Sequence, residues 1–182
     1  MDTATILLGN AVSFAGEACG LVAGVHKSRT LWWFSARLIV AGIASAILGA
    51  WLALWLNCTS VARNLVMHRS GTLSMPMRLA MSAAMLLGLL MLRPGAGMAQ
   101  HAAEVMAIAA CVAFTMLMRS GDEHLKWLTL VTTFPWLVYN CYILNFVGAV
   151  FCALSMAANL AGVLRIRAHC PASVCALQRP SN

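Results

Sequence analysis

The chain has 182 residues, 62% of them hydrophobic and only 9% charged, with a mean hydropathy of +0.83 and a net charge of +7. A water-soluble domain of this length carries far more charge, so composition excludes a soluble globular protein and points to a polytopic membrane protein. The 12 lysines and arginines are scattered between apolar segments, which makes them topology markers and speaks against a nucleic-acid partner.

No cleavable signal peptide is expected, because MDTATILLGN places Asp2, and no basic residue, before its apolar run. A first span is expected from about Thr5 to Val25, ending at the basic cluster His26-Lys27-Ser28-Arg29. The region from Leu31 to His68 reads either as one span, Leu31 to Asn57, with a following loop, or as two spans with a tight turn near Gly49. Further spans are expected over about Pro76–Leu92, Gln100–Met118, His124–Ile143 and Phe146–Ile166, each near the ~20 residues that cross a ~30 Å hydrocarbon core.

Charge decides between six spans and seven. With seven, and the first basic loop inside, Arg69, Arg78, Arg119, Lys126, Arg165, Arg167 and Arg179 also fall inside. Arg37 and Arg63 lie in the inner halves of their spans and can snorkel that way, leaving only Arg93 outside. Six spans would turn most of these residues outward, against the positive-inside rule. The expectation is seven spans, N-terminus outside and C-terminus cytoplasmic.

Shifting the chain by 95 residues lays Trp32 on Trp127, Ser60 on Ser155, Ala62 on Ala157, Asn64 on Asn159 and Leu65 on Leu160. The matches cluster at one end of spans 3 and 7. They predict an all-α membrane protein of two parallel three-helix repeats joined by a linker helix. The repeats cover residues 1–69 and 99–167, the linker 70–98 and a cytoplasmic tail 168–182. Parallel repeats about an axis along the membrane normal are a known carrier architecture.

Three short motifs carry a family resemblance: Arg63-Asn64 closing span 3, WLVYN at Trp136 to Asn140, and the Asn159 to Arg165 spacing. Together they resemble the YgjV-type bacterial inner-membrane family over roughly Asn10 to Arg167, which implies the bacterial inner membrane as location. That family is similar to the SWEET and PQ-loop carriers, whose plan is three helices, one, then three. In sugar-carrying SWEETs an asparagine on span 3 and another on span 7 line the pocket, and Asn64 and Asn159 match in span and repeat position. The chain departs from that group in having no Pro-Gln dipeptide, and Val40 stands where symmetry with Pro135 would place a proline.

An amide offers donors and an acceptor, so Asn64 and Asn159 suit a neutral polar substrate; the alternative is that each bonds a neighbouring helix. Trp136 and Asn140 join the expected pocket. Tyr139, near the outer end, reads as an interface anchor or a packing residue. Glu17 is the carboxylate deepest in a span, and Arg37 and Arg63 lie where they can meet it, either as a structural ion pair or as a gate. Pro135 is a candidate hinge or a static bend. Asn10, Ser13 and Glu17 share one helical face, and Gly16, Gly20 and Gly24 form a packing stripe.

Met77, Met81 and Met85 read as core filling, with a soft-metal site as the alternative. Glu104 and His101 are expected to be solvated. His169, Cys170 and Cys175 have poor metal spacing, and no cofactor or catalytic residue is expected. The functional expectation is a small carrier moving a polar metabolite by alternating access. A non-transporting scaffold or accessory subunit is the alternative; the sequence leaves the oligomeric state open.

Overall fold

Inside hydrocarbon a backbone amide has no water to bond, so long apolar runs coil and satisfy themselves internally. The structure is a computed structural model. It describes residues 2–25, 30–92, 95, 97–118 and 122–169, with side chains described outside 20–31, 33–34, 122–123, 125 and 165–169. The basic cluster 26–29, Arg93, Arg119 and the tail from Cys170 lie outside the described residues, as do the side chains of Arg165, Arg167 and His169.

Among the described residues the regular structure is all helical, with seven α-helices and no strand. They are α1 Thr3–Val25, α2 Thr30–Ile47, α3 Trp51–Ser70, α4 Met75–Leu86, α5 Met98–Leu117, α6 Asp122–Tyr142 and α7 Phe146–His169. A 3-10 helix, Leu87–Met91, extends α4. The chain breaks at Gly49, so the two-helix reading of residues 31–68 holds. Two segments, Met98–Leu117 and Phe146–Leu164, are each long and apolar enough to cross a membrane; Ser35–Ile47 and Met75–Met91 are shorter apolar helices. Polar residues on the buried face of α3 dilute its apolar character, and Pro135 lies within an unbroken α6.

The helix contacts form a circuit, α1 to α2 to α3 to α5 to α6 to α7 and back to α1, with α4 packed against α3 and α5. Helices α3 and α7 stand on opposite sides of it. At Gly16 a Cβ would come within 3.2 Å of Val40, so the missing side chain is what lets α1 approach α2 so closely. The Trp55 indole N–H donates to the Ala84 carbonyl at 2.9 Å and ties α3 to α4.

The turns that open α3 and α7 share one hydrogen-bond pattern. Around Gly49, Leu48 N–H donates to Ala44 O, Gly49 to Ala46, Ala50 to Ser45 and Leu54 to Ala50. Around Leu144, Ile143 donates to Tyr139, Leu144 to Cys141, Asn145 to Asn140 and Ala149 to Asn145, so every donor and acceptor recurs 95 residues later. The pivots match too, with φ of 64° at Gly49 and 60° at Leu144.

Glycine takes this left-handed region freely, whereas leucine meets its own Cβ there. The second turn is held by asparagines. Asn145 caps α7, its Oδ1 accepting from Gly148 N–H at 3.0 Å, while its Nδ2 donates to Asn140 Oδ1 at 3.0 Å. Asn10 reaches across from α1, with Nδ2 donating to Leu144 O and Oδ1 accepting from Val147 N–H, both at 2.9 Å. One amide thus fixes α1 to the α6–α7 turn at two points.

At the start of α1, Asp2 accepts from Thr5 N–H at 2.8 Å. Hydrogen bonds from the Thr5 side chain and backbone hold its exposed carboxyl below the ordinary carboxylate range. Because the folded pKa is depressed, this cap is in place above the unfolded value and is lost as pH falls through the folded one.

Left-handed leucine costs roughly 1–2 kcal/mol, and glycine's greater unfolded freedom returns about 0.5–1 kcal/mol of that. Leu144→Gly should therefore stabilise the protein by about 0.5–1 kcal/mol, and Gly49→Ala should destabilise it by a similar amount. Thermal unfolding in mild detergent reads the difference; midpoints moving in the same direction would contradict the turn assignment. Asn10→Leu leaves the Val147 N–H and the Leu144 carbonyl unpaired and should cost about 1–3 kcal/mol in the same measurement.

Candidate functional site

The exterior carries many large apolar side chains, and the interior holds polar and charged ones. Leu7, Phe14, Trp51, Leu90, Val131 and Leu154 are among many large apolar side chains on the outside, while Ser13, Glu17, Asn57, Arg63, Asn64 and Glu104 are buried. Water would penalise so extensive an apolar exterior, whereas lipid does not.

The interior has two parts. At the end carrying the Gly49 and Leu144 turns the core is apolar, built from Ala50 and Ile143 of the turns themselves, Leu52, Ala53 and Leu56 of α3, Ala103, Ala107 and Ile108 of α5, and Tyr139 of α6. Further along α3 the same buried face turns polar, with Asn57, Thr59, Ser60, Arg63 and Asn64. The sequence spacing that makes one face therefore makes a polar half and an apolar plug.

Arg63 is 6% exposed and turns towards α5. Its Nη1 donates to Thr115 Oγ1 at 3.2 Å, and Nε and Nη2 donate to Asn64 Oδ1 at 3.4 and 3.3 Å. The guanidinium carbon lies 4.9 Å from the Phe114 ring centroid. Asn64 is buried beside it, and among the described residues its Nδ2 has no hydrogen-bond partner; the same holds for Ser82 Oγ on α4. Because a guanidinium only donates, the Asn64 oxygen must face Arg63, which leaves the amide nitrogen free.

Glu17 and Arg37 form the expected ion pair, with Arg37 Nη2 to Glu17 Oε1 at 2.8 Å, joining α1 to α2. Arg63 is not part of it and bonds instead to Thr115 of α5 and to Asn64 beside it. Asn159 donates from Nδ2 to the Ser155 carbonyl at 2.8 Å and stays within its own helix. The Asn140 amide is occupied in the turn, accepting from Asn145 and donating to Cys152 Sγ at 3.6 Å. Trp136 packs on the apolar core edge-on to Tyr139, ring centroids 5.8 Å apart. Tyr139 is 1% exposed, so of its two readings packing is the one observed.

Glu104 is a correction to the sequence reading. It is 3% exposed, not solvated, because Gln100 Nε2 and His101 Nδ1 meet its oxygens at 3.1 and 3.3 Å from one turn earlier. Met85 is fully buried and meets the Thr115 hydroxyl, Met81 is half-buried and Met77 is exposed. No group of three or more metal-ligating side chains occurs among the described residues. The two asparagines that sequence reasoning missed as structural devices are Asn145 and, in its clamp role, Asn10. The signal for the first was an asparagine immediately before an apolar helix start.

An all-helical chain with a lipid-compatible exterior and a polar interior is an integral membrane protein. It matches the family model Imp-YgjV, described as bacterial inner membrane protein, over residues 7–169, and the chain belongs to that family. Its place is the bacterial inner membrane and its first partner is the lipid bilayer. No curated protein and no solved structure matches it.

The Glu17–Arg37 pair gives a further prediction. The side chains are 10% and 23% exposed, between the surface and buried regimes, so Glu17→Gln or Arg37→Gln should each cost on the order of 1–3 kcal/mol. The double variant should cost clearly less than the two single costs added together, which a double-mutant cycle on unfolding midpoints measures.

Proposed function

We propose that the protein is a small carrier with a SWEET-like plan, moving a small polar metabolite across the inner membrane by alternating access. The observation that carries this reading is the recurrence of one turn, bond for bond, 95 residues apart at Gly49 and Leu144. In this reading residues 1–69 and 99–167 are like-oriented three-helix halves, with 70–98 as the linker and 168–182 as a cytoplasmic tail. The contact circuit supports it, since exchanging α1, α2 and α3 with α5, α6 and α7 maps the α1–α7 contact onto α5–α3.

Seven crossings require α4 to cross. Twelve α-helical and five 3-10 residues span about 28 Å, because the 3-10 helix rises ~2.0 Å per residue against 1.5 Å. That length is close to the ~30 Å core.

The pocket of this carrier is the polar half of the interior, with Asn64 central, Asn159 on the opposite side of the circuit and Trp136 at the apolar boundary. Asn140 contributes through the turn. Glu17 and Arg37 form the gate, and Pro135 in α6 is the hinge. The apolar plug at the turn end closes the pocket on the periplasmic side. No catalytic role is assigned, and the N-terminus is placed outside with the C-terminus in the cytoplasm.

A scaffold without transport is the second reading. It is favoured by the amides of Asn10, Asn140, Asn145 and Asn159, which bond to other groups of the chain. A groove of about 410 Å³ between α4 and α5 is also lined by apolar residues, Leu86, Ile108 and Val112 among them, and by none of the pocket residues.

Ser60→Cys, in a background without the native cysteines, separates the two. Alternating access makes this position reactive to a membrane-impermeant maleimide from the cytoplasmic side and, more slowly, from the periplasmic side. Labelling from one side only, or from neither, contradicts the carrier.

A further inference from the structure

We propose that Arg63 and Asn64 form an oxyanion-binding site, so that the group this protein holds between α3 and α5 is a carboxylate or a phosphate. The proposal deepens the carrier reading by giving its cargo a charge, and it rests on that reading only for the word cargo. Binding itself needs no transport.

The charges around Arg63 are out of balance. Arg63 is buried, and among the described residues its side chain meets no carboxylate; the two acidic side chains in ion pairs, Glu17 and Glu104, are engaged elsewhere. A buried cation without a counter-charge is strongly disfavoured. Its neighbours compensate weakly. All three of its hydrogen bonds are 3.2 Å or longer, whereas charge-assisted N–H···O bonds to an anion close to about 2.7–2.9 Å. Among the described residues, two of its five N–H groups have no bond.

The C-terminal end of α5, where Thr115 sits, offers roughly half a negative charge. A second cation already uses it: Arg78 Nη1 donates to Met116 O at 2.8 Å. One helix end thus faces two guanidinium groups, and the balance stays positive.

The unsatisfied atoms complete the description. Asn64 Nδ2 is a buried donor without a partner, adjacent to the guanidinium that fixes its orientation. Ser82 Oγ, the other buried unpartnered side-chain atom among the described residues, lies on α4 one helical turn before Met85, the residue whose sulfur meets Thr115. A hydroxyl can donate as well as accept. The free capacity beside Arg63 is therefore donor capacity around a cation, and its complement is an acceptor-only group bearing negative charge. A planar carboxylate or a phosphate fits the Arg63 fork and can also accept from the Asn64 amide. A neutral sugar hydroxyl would leave the charge unanswered.

Such an oxyanion can belong to a free metabolite or to a lipid headgroup, and one experiment distinguishes them. The full chain, purified in neutral detergent, is unfolded thermally in inorganic phosphate, acetate or chloride at equal ionic strength, and separately with phosphatidylglycerol or phosphatidylcholine in the micelle. A midpoint that rises in phosphate or acetate above chloride supports a free oxyanion. A rise with phosphatidylglycerol alone supports a headgroup.

Two variants complete the test. Asn64→Asp supplies the missing carboxylate from within the chain, and should raise the anion-free midpoint and abolish the response. Arg63→Met removes the cation and should weaken apparent anion binding about a hundredfold or more. Absence of any anion response in the wild type, or an undiminished response in both variants, overturns the site. If anions bind but Ser60→Cys labels from one side only, the carrier fails and the site stands. If labelling succeeds and anions do not bind, the reverse holds.

Discussion

A polar group enclosed among the helices of a membrane protein must find its partners mainly among other groups of the same chain. The rest of the structure follows from that constraint. Asn10 meets it by supplying donor and acceptor at once to the α6–α7 turn, and so determines how α1 stands against α7. Asn145 meets it by capping the helix it precedes, and Glu104 by drawing on Gln100 and His101 one turn earlier. Glu17 and Arg37 meet it as a pair. Arg63 and Asn64 do not meet it fully, and that shortfall is what gives the α3–α5 junction its meaning.

The two matched turns carry the architecture. A left-handed residue between two helices sets the angle at which the second leaves the first, so repeating the turn repeats the angle. Gly49 takes this conformation without strain. Leu144 is held there by the asparagine network around it, which includes the Asn10 amide of α1 donating to the Leu144 carbonyl. The same geometry is thus reached by backbone freedom in one half and by side-chain clamping in the other. This explains why identities between the halves are few although the hydrogen-bond pattern recurs completely.

Much of this was legible in the sequence, for physical reasons. Helix positions follow from apolar length and from the charges between runs, and the break at Gly49 follows from the charge balance that demanded an extra span. The Glu17–Arg37 pair was legible because a deep carboxylate needs a nearby cation. Arg63 was expected at the same pair, but its direction depends on which face of α3 meets α5, and spacing along α3 does not reveal a neighbour 52 residues away. Glu104 was read as solvated because its distance from a helix end suggests water, whereas its burial depends on packing. Pattern reasoning places residues on faces. It does not choose which face meets which helix.

We propose that two like-oriented halves are joined by a helix that crosses the bilayer. Trp51 and Phe146, both exposed, open α3 and α7 immediately after the matched turns, and Thr72 lies exposed beyond the other end of α3. Single cysteines at these three positions, in a background without native cysteines, can be labelled from each side of the inner membrane with an impermeant reagent. The account predicts that Trp51→Cys and Phe146→Cys react from the periplasmic side and Thr72→Cys from the cytoplasmic side. If Trp51→Cys and Phe146→Cys react from opposite sides, α4 does not cross, the halves are not parallel, and the carrier architecture is wrong.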